Sequence, residues 1–258
     1  MPYVGTLAWA RDTGGRLSLR DRLALTKLAA ASLFSELPDL VTYRLGLKRN
    51  FPREIDAASL TAPDTPAARA SEALLTELTP RFMVNHSLRT YWFSRLIGMG
   101  MGLSFDDEAL YVASLTHDLG FYGRYASAVE GAECFTIRSA HAANEILERI
   151  GWDPARRDRV AEAVILNTNG HVPPELGVEA HLMMRGVLTD ATGMHAWRIN
   201  PKTVDAVFER LPLLDQAAHL WPTFSAEANR HPQCRGYFAK RYLQFGLMIR
   251  MSPWNQRP

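Results

Sequence analysis

No segment of this chain shows sustained period-two alternation of apolar and polar residues bounded by hairpin turns, so β-sheet is not needed to place any part of it. The periodicity it does show is helical. Across residues 17–37 Leu or Ala recurs every three to four positions, Ser18 or Asp21 offers a cap, and Pro38 is expected to stop the helix before a second short one over 40–47. Further helices are expected over 67–78, ended by Pro80, and from an N-cap at Asn85 through NHSLRTYWFSRLIGMGM. Another is capped by Asp106 or Asp107 and closed by a left-handed Gly120. Then follow one over 137–150 closed by Gly151, one opened by Asp153 and Pro154, and one carrying Asp190 and closed by Gly193. The fold class is therefore all-α, a multi-helix bundle with an extra N-terminal helical segment. Its expected organisation is an arm and helical extension over 1–55, with 1–15 irregular, then a linker over 56–66 rich in Ala, Ser, Thr and Pro. The main domain follows over 67–225, and a packing tail over 226–258 ends in six frayed residues.

Composition narrows the function classes. A net charge of +2 on 258 residues argues against a nucleic-acid surface built on bulk charge. No run approaches eighteen apolar residues, and the N-terminus lacks the basic start and apolar core of a signal peptide. Cys134 and Cys234, a hundred residues apart, read as free thiols rather than a disulfide framework. The expectation is a cytoplasmic protein with a small-molecule substrate, no nucleic-acid or membrane partner, and a homo-oligomer formed through the amphipathic N-terminal helices.

The chemistry lies in polar residues placed on apolar helical faces. His86 shares a face with Thr90, Phe93 and Ile97; His117 with Leu110, Ala113 and Ser114; Asp190 with Met183 and Val187. A polar group aimed at the interior needs a partner, and an inward aspartate is most simply compensated by a cation. Asp118 follows His117 about 100° round a helix, so both can face one ion only if the helix end bends or the ion lies between them. Two imidazoles and two carboxylates suit one divalent Zn²⁺, Fe²⁺ or Mn²⁺ with positions left for water, which such an ion acidifies into a nucleophile near neutral pH. Arg89 lies close enough to His86 to sit at the edge of the same site. His141, five residues past Thr136, falls on another face of its helix; His181 and His195 lack ligand spacing and read as structural, and His219 and His231 belong to the tail.

An early His, a His-Asp pair and a late Asp on separate helices resemble the HD superfamily of metal-dependent phosphohydrolases and related enzymes. The chain is most similar to the cyanamide-hydratase-like branch in NHSLRTYWF, in the HDLG segment, in a helix beginning at Phe135, and in the late Asp190 followed by small residues and Gly193. The resemblance spans roughly residues 63–221 and implies an HD-domain bundle in which His86, His117, Asp118 and Asp190 hold the metal. Two positions depart from the branch: Thr136 stands where it tends to carry Glu, and Asn167 where it tends to carry His. Neither can act as a base near pH 7, which leaves Asp118, His171 four residues beyond Asn167, or bulk water to take a proton from the water nucleophile. Three activities then compete. One is a hydratase or hydrolase of a small molecule, with apolar neighbours such as Phe93, Phe121 and Tyr122. The second is a phosphohydrolase with Arg89, Arg124 or Arg138 on the phosphate. The third is a metal-binding regulatory module without turnover.

Overall fold

In a computed structural model describing residues 2–56, 60–127 and 133–257, the molecule is built on one closely packed helix pair. These are α4 (Arg81–Met101) and α8 (Val178–Thr192), with α5 (Asp107–Thr116) packed on both, α7 (Pro154–Leu166) on α8, and α6 (Phe135–Ile150) on α7. Among the described residues there are twelve α-helices and no strand, as the helical periodicity implies. None of these helices is long and apolar enough to cross a membrane.

Most helix ends follow from local chemistry. Asp106 caps α5 by accepting from the Ala109 amide, and Asp153 caps α7 by accepting from Arg156, with Pro154 at the first helical position. Gly151 and Gly193 close α6 and α8 in the left-handed conformation. Thr65 caps α3 (Pro66–Leu78). Ser18 and Asp21 form a capping box at the start of α2 (Leu19–Arg44).

The structure departs from the sequence expectation in five places. Residues 1–15 are not wholly irregular, because Thr6 caps a short α1 (Leu7–Thr13) ended by Gly14. Pro38 does not stop α2, which continues to Arg44 as one helix. The bond that proline cannot make would go to the Phe34 carbonyl, and Phe34 and Pro38 both lie on the solvent side, where water can serve that carbonyl. Asn85 is not a cap: α4 begins at Arg81, and the Asn85 side chain donates to the Pro212 carbonyl at 2.8 Å. Gly120 is not left-handed. It is required because an added Cβ would collide with the Phe135 carbonyl, where the chain crosses the start of α6. The last residues are not frayed as far as residue 257, since Trp254 is buried and its indole donates to the Thr189 carbonyl at 2.7 Å.

The tail forms α10 (Gln216–Arg230), α11 (Arg235–Arg241) and α12 (Phe245–Arg250), after α9 (Pro201–Arg210). With α2 they cover the end of the bundle where His117 and Asp118 emerge. Residues 57–59 of the expected linker and 128–132 of the loop before α6 lie outside the described residues.

Candidate metal centre

The end of α5 makes the centre. The helix stops at Thr116; His117 keeps helical angles as its C-cap, and Asp118 departs to φ −112°, ψ 6° before a 3-10 turn at Leu119–Phe121. That bend brings two sequence neighbours onto one point, with Asp118 Oδ2 3.3 Å from His117 Nε2. From α4, His86 Nε2 lies 3.6 Å from the same oxygen. The two imidazole centroids are 5.2 Å apart, and the three candidate ligand atoms lie within 4.8 Å of one another. Atoms bound to one ion at about 2 Å in tetrahedral geometry are separated by about 3.3 Å, so the spacing suits a single metal.

Both imidazoles are held with Nε2 toward that point. His117 Nδ1 donates to the Ser114 carbonyl at 2.7 Å, and its Nε2, though buried, has no hydrogen-bond partner. His86 Nδ1 donates to Asp190 Oδ2 at 2.5 Å, which turns its Nε2 toward Asp118. A histidine whose second nitrogen donates to a carboxylate or carbonyl is the usual geometry of a metal ligand. The orphaned Nε2 of His117 is the observation that a cation explains. Where Zn²⁺, Fe²⁺ or Mn²⁺ is bound, His86, His117 and Asp118 would hold it.

Asp190 sits on the opposite side of His86 from that point. Its Oδ2 accepts from His86 Nδ1 and, at 2.8 Å, from Gln216 Nε2, while its Oδ1 accepts from Arg89 Nε at 2.5 Å. Arg89 is fully buried and also donates to the Leu211 and Pro212 carbonyls and to Gln216 Oε1. Burial alone would raise the Asp190 pKa, but the Arg89 charge and the His86 contact hold it well below the usual carboxylate range. Asp118 is held low against burial by His117 and His86. Burial would depress His86, yet Asp118 and Asp190 together lift it to about 9, so metal uptake displaces a proton from this ring.

The centre opens into a cavity of about 360 Å³. Asn167, the first residue past α7, lines it with a buried Nδ2 that has no partner, and Thr168 beside it presents a buried hydroxyl in the same condition. Thr136 does not line the cavity; its hydroxyl accepts from Arg235 at 3.0 Å. Nor does His171 line it. Burial and the neighbouring Arg185 lower its pKa, with Glu36 and Glu175 acting the other way. Phe93 packs on Phe208 in the core, Phe121 stacks on Phe135 at 4.1 Å, and it is Phe135, Phe224 and Phe245 that wall the cavity.

The described lining holds no lysine or arginine. Arg89 is committed to Asp190. Arg138 is committed to Glu227 and to the Tyr125 and Gly120 carbonyls, and Arg124 lies exposed beside Glu77. His141 is 60% exposed in its side chain, as its helical position implies.

Sequence reasoning missed Thr168, Gln216 and the whole contribution of α2, which supplies Thr26, Ala29, Ala30 and Leu33 to the cavity. Thr168 was signalled only by adjacency to Asn167, and nothing local marks Gln216. No curated protein matches the chain. Residues 83–192, which run from α4 to the end of α8 and contain His86, His117, Asp118 and Asp190, match the family model of the HD domain.

Proposed function

We propose that the protein is a metal-dependent hydrolase or hydratase that adds water to a neutral small molecule. HD domains are usually metal-dependent hydrolases, which supports an enzyme in general terms. The observation that carries the finer reading is the cavity above the three ligand atoms, whose described walls bring no cationic side chain. A phosphate ester needs two or more basic groups converging on the metal, and the arginines closest to hand are engaged elsewhere.

A divalent cation held by His86, His117 and Asp118 would supply Lewis acidity and bring the pKa of a water toward neutrality. Asp118, whose carboxylate lies beside both imidazoles, is placed to accept a hydrogen bond from that water. Asn167 Nδ2 and the Thr168 hydroxyl are unpartnered donors facing the same space, suited to a carbonyl oxygen or a nitrile nitrogen in which negative charge builds up. The cyanamide-hydratase-like branch fits this reaction type. A cavity of about 360 Å³ nonetheless has room on the order of ten water volumes, far more than a cyanamide-sized molecule needs.

The test begins with metal analysis after loading with Zn²⁺, Fe²⁺ or Mn²⁺ and dialysis, beside His117→Ala. The loaded protein is then assayed on nitriles, amides, esters and p-nitrophenyl phosphate. Retained metal in wild type only, with turnover of a neutral substrate, supports the proposal. Faster turnover of the phosphate ester than of every neutral substrate would overturn it, as would unchanged metal content in His117→Ala.

A further inference from the structure

We infer that the substrate carries an extended apolar group, a chain or aromatic system, that lies under α2 while its reactive head sits at the centre. The inference rests on the metal centre proposed above and adds the substrate class. The polar groups around the centre are His86, His117, Asp118, Asn167 and Thr168, with Thr26, Ser32, His195 and Tyr242 the other polar side chains of the lining. Most of the remaining wall is apolar, with Phe135, Leu188, Leu220, Phe224, Leu243 and Phe245 on the body side and Ala29, Ala30 and Leu33 from α2. A volume of about 360 Å³ falls in the range that encloses a drug-sized ligand rather than a few atoms. Water filling such a space would find few partners, so an apolar group gains by displacing it.

The apolar lining also continues to the surface. Leu33 and Tyr242 both line the cavity and remain 50% and 54% exposed, and they stand on α2 and just beyond α11. Along its 26 residues α2 buries only Leu25 and Glu36. Ala29, Ala30 and Leu33 thus face a space that the body does not fill, and an apolar ligand would supply the surface they lack.

The experiment uses n-alkyl hydroxamic acids, which share one metal-chelating head. Acetohydroxamic, hexanohydroxamic and octanohydroxamic acids are titrated calorimetrically into zinc-loaded and zinc-free protein, alongside inorganic phosphate. Affinity should rise about fourfold for each methylene buried, until the chain outgrows the cavity. Octanohydroxamate should also slow amide exchange across residues 19–44, and acetohydroxamate should not. Ala30→Arg, at an exposed position of α2, should bring octanohydroxamate to the acetohydroxamate level while leaving zinc content and acetohydroxamate binding unchanged. Chain-length dependence that survives in protein unable to bind zinc would sink the metal centre and leave this inference standing. Equal affinity across the series in both forms overturns it. Inorganic phosphate binding more tightly than octanohydroxamate overturns it too.

Discussion

Gly186 is the glycine on which the geometry of the centre depends. It lies one helical turn before Asp190 on α8, where α8 meets α4. A Cβ added there would lie 3.0 Å from the Ser94 amide nitrogen and closer still to the Ser94 hydroxyl and the Thr90 carbonyl. Two of these three atoms are backbone of α4 and cannot rotate away. An ordinary carbon–oxygen contact is about 3.3–3.6 Å, so in Gly186→Ala the helices must separate by about 1 Å. Overpacking of this kind costs about 1–3 kcal/mol, and the better helix propensity of alanine returns about 1 kcal/mol. A net loss of up to about 2 kcal/mol lowers the melting temperature by up to roughly 8 °C in a chain of this size.

The same shift reaches the site. Carried along a rigid helix to Asp190, it takes the contact between His86 Nδ1 and Asp190 Oδ2 from 2.5 Å to beyond hydrogen-bond range. His86 then loses the carboxylate that orients it, and loss of such a partner lowers metal affinity about 10- to 100-fold. Gly100→Ala serves as the control, because a Cβ there would meet only the Arg198 carbonyl at 3.5 Å and Pro52 at 3.8 Å. Calorimetric melting and zinc titration of both variants decide the matter. Gly186→Ala with wild-type melting temperature and zinc affinity would refute the argument, since the two helices would then have slack where the structure leaves none.

Three further outcomes follow from buried charge. Asp190→Asn leaves the fully buried Arg89 without its carboxylate, so chemical denaturation of the metal-free protein should show a loss of about 3–5 kcal/mol, and zinc affinity should fall about 10- to 100-fold; unchanged stability would remove Asp190 from the role of counter-ion. Glu36→Ala removes the acceptor that ties α2 to Arg185 at 3.2 Å and to Arg198 at 3.0 Å, and limited proteolysis within residues 19–44 should accelerate on the order of tenfold, a rate equal to wild type counting against the tie. His195 is kept neutral by burial and then by the Arg185 and Arg198 charges, so its contribution to stability is complete above the unfolded pKa of about 6.5 and is lost as pH falls below it; between pH 7 and 5 wild type should lose up to about 2 kcal/mol more than His195→Asn, a residue that tolerates the left-handed backbone at this position, and parallel pH profiles would contradict this.

What was legible in the sequence was local. The Ser18 cap of α2, the Asp153–Pro154 start of α7 and the Gly151 and Gly193 stops each need only a few neighbouring residues to act, and each appears where its chemistry places it. His86 and His117 were legible because a polar residue on an apolar helical stripe is conspicuous, and Asp118 only as the neighbour of His117. What was not legible depends on residues far apart in the chain. Gly120 carries the same signal as a C-cap glycine, but it answers to the Phe135 carbonyl. Pro38 ends a helix by local rules, and only the exposure of its turn lets α2 continue. The Gln216 contact to Asp190 spans 26 residues and the Glu36 contact to Arg185 spans 149, with no periodicity to announce either.

The two halves of the site differ in rigidity for the same reason. Its floor is fixed where α4 and α8 approach backbone to backbone at Gly186, and His86, Arg89 and Asp190 are locked across that seam by short, buried, charge-assisted hydrogen bonds. Its roof, α2, reaches the body with two buried side chains, one of them a carboxylate whose partners lie some 150 residues away. Few apolar contacts and a long chain closure place such an element at the low-stability end of a fold. An opening at the roof would leave the ligand geometry of the floor intact, so a substrate of the inferred kind would enter without disturbing His86, His117 or Asp118. On the inference drawn above, closure would be favoured in proportion to the apolar surface that the substrate presents to Ala29, Ala30 and Leu33.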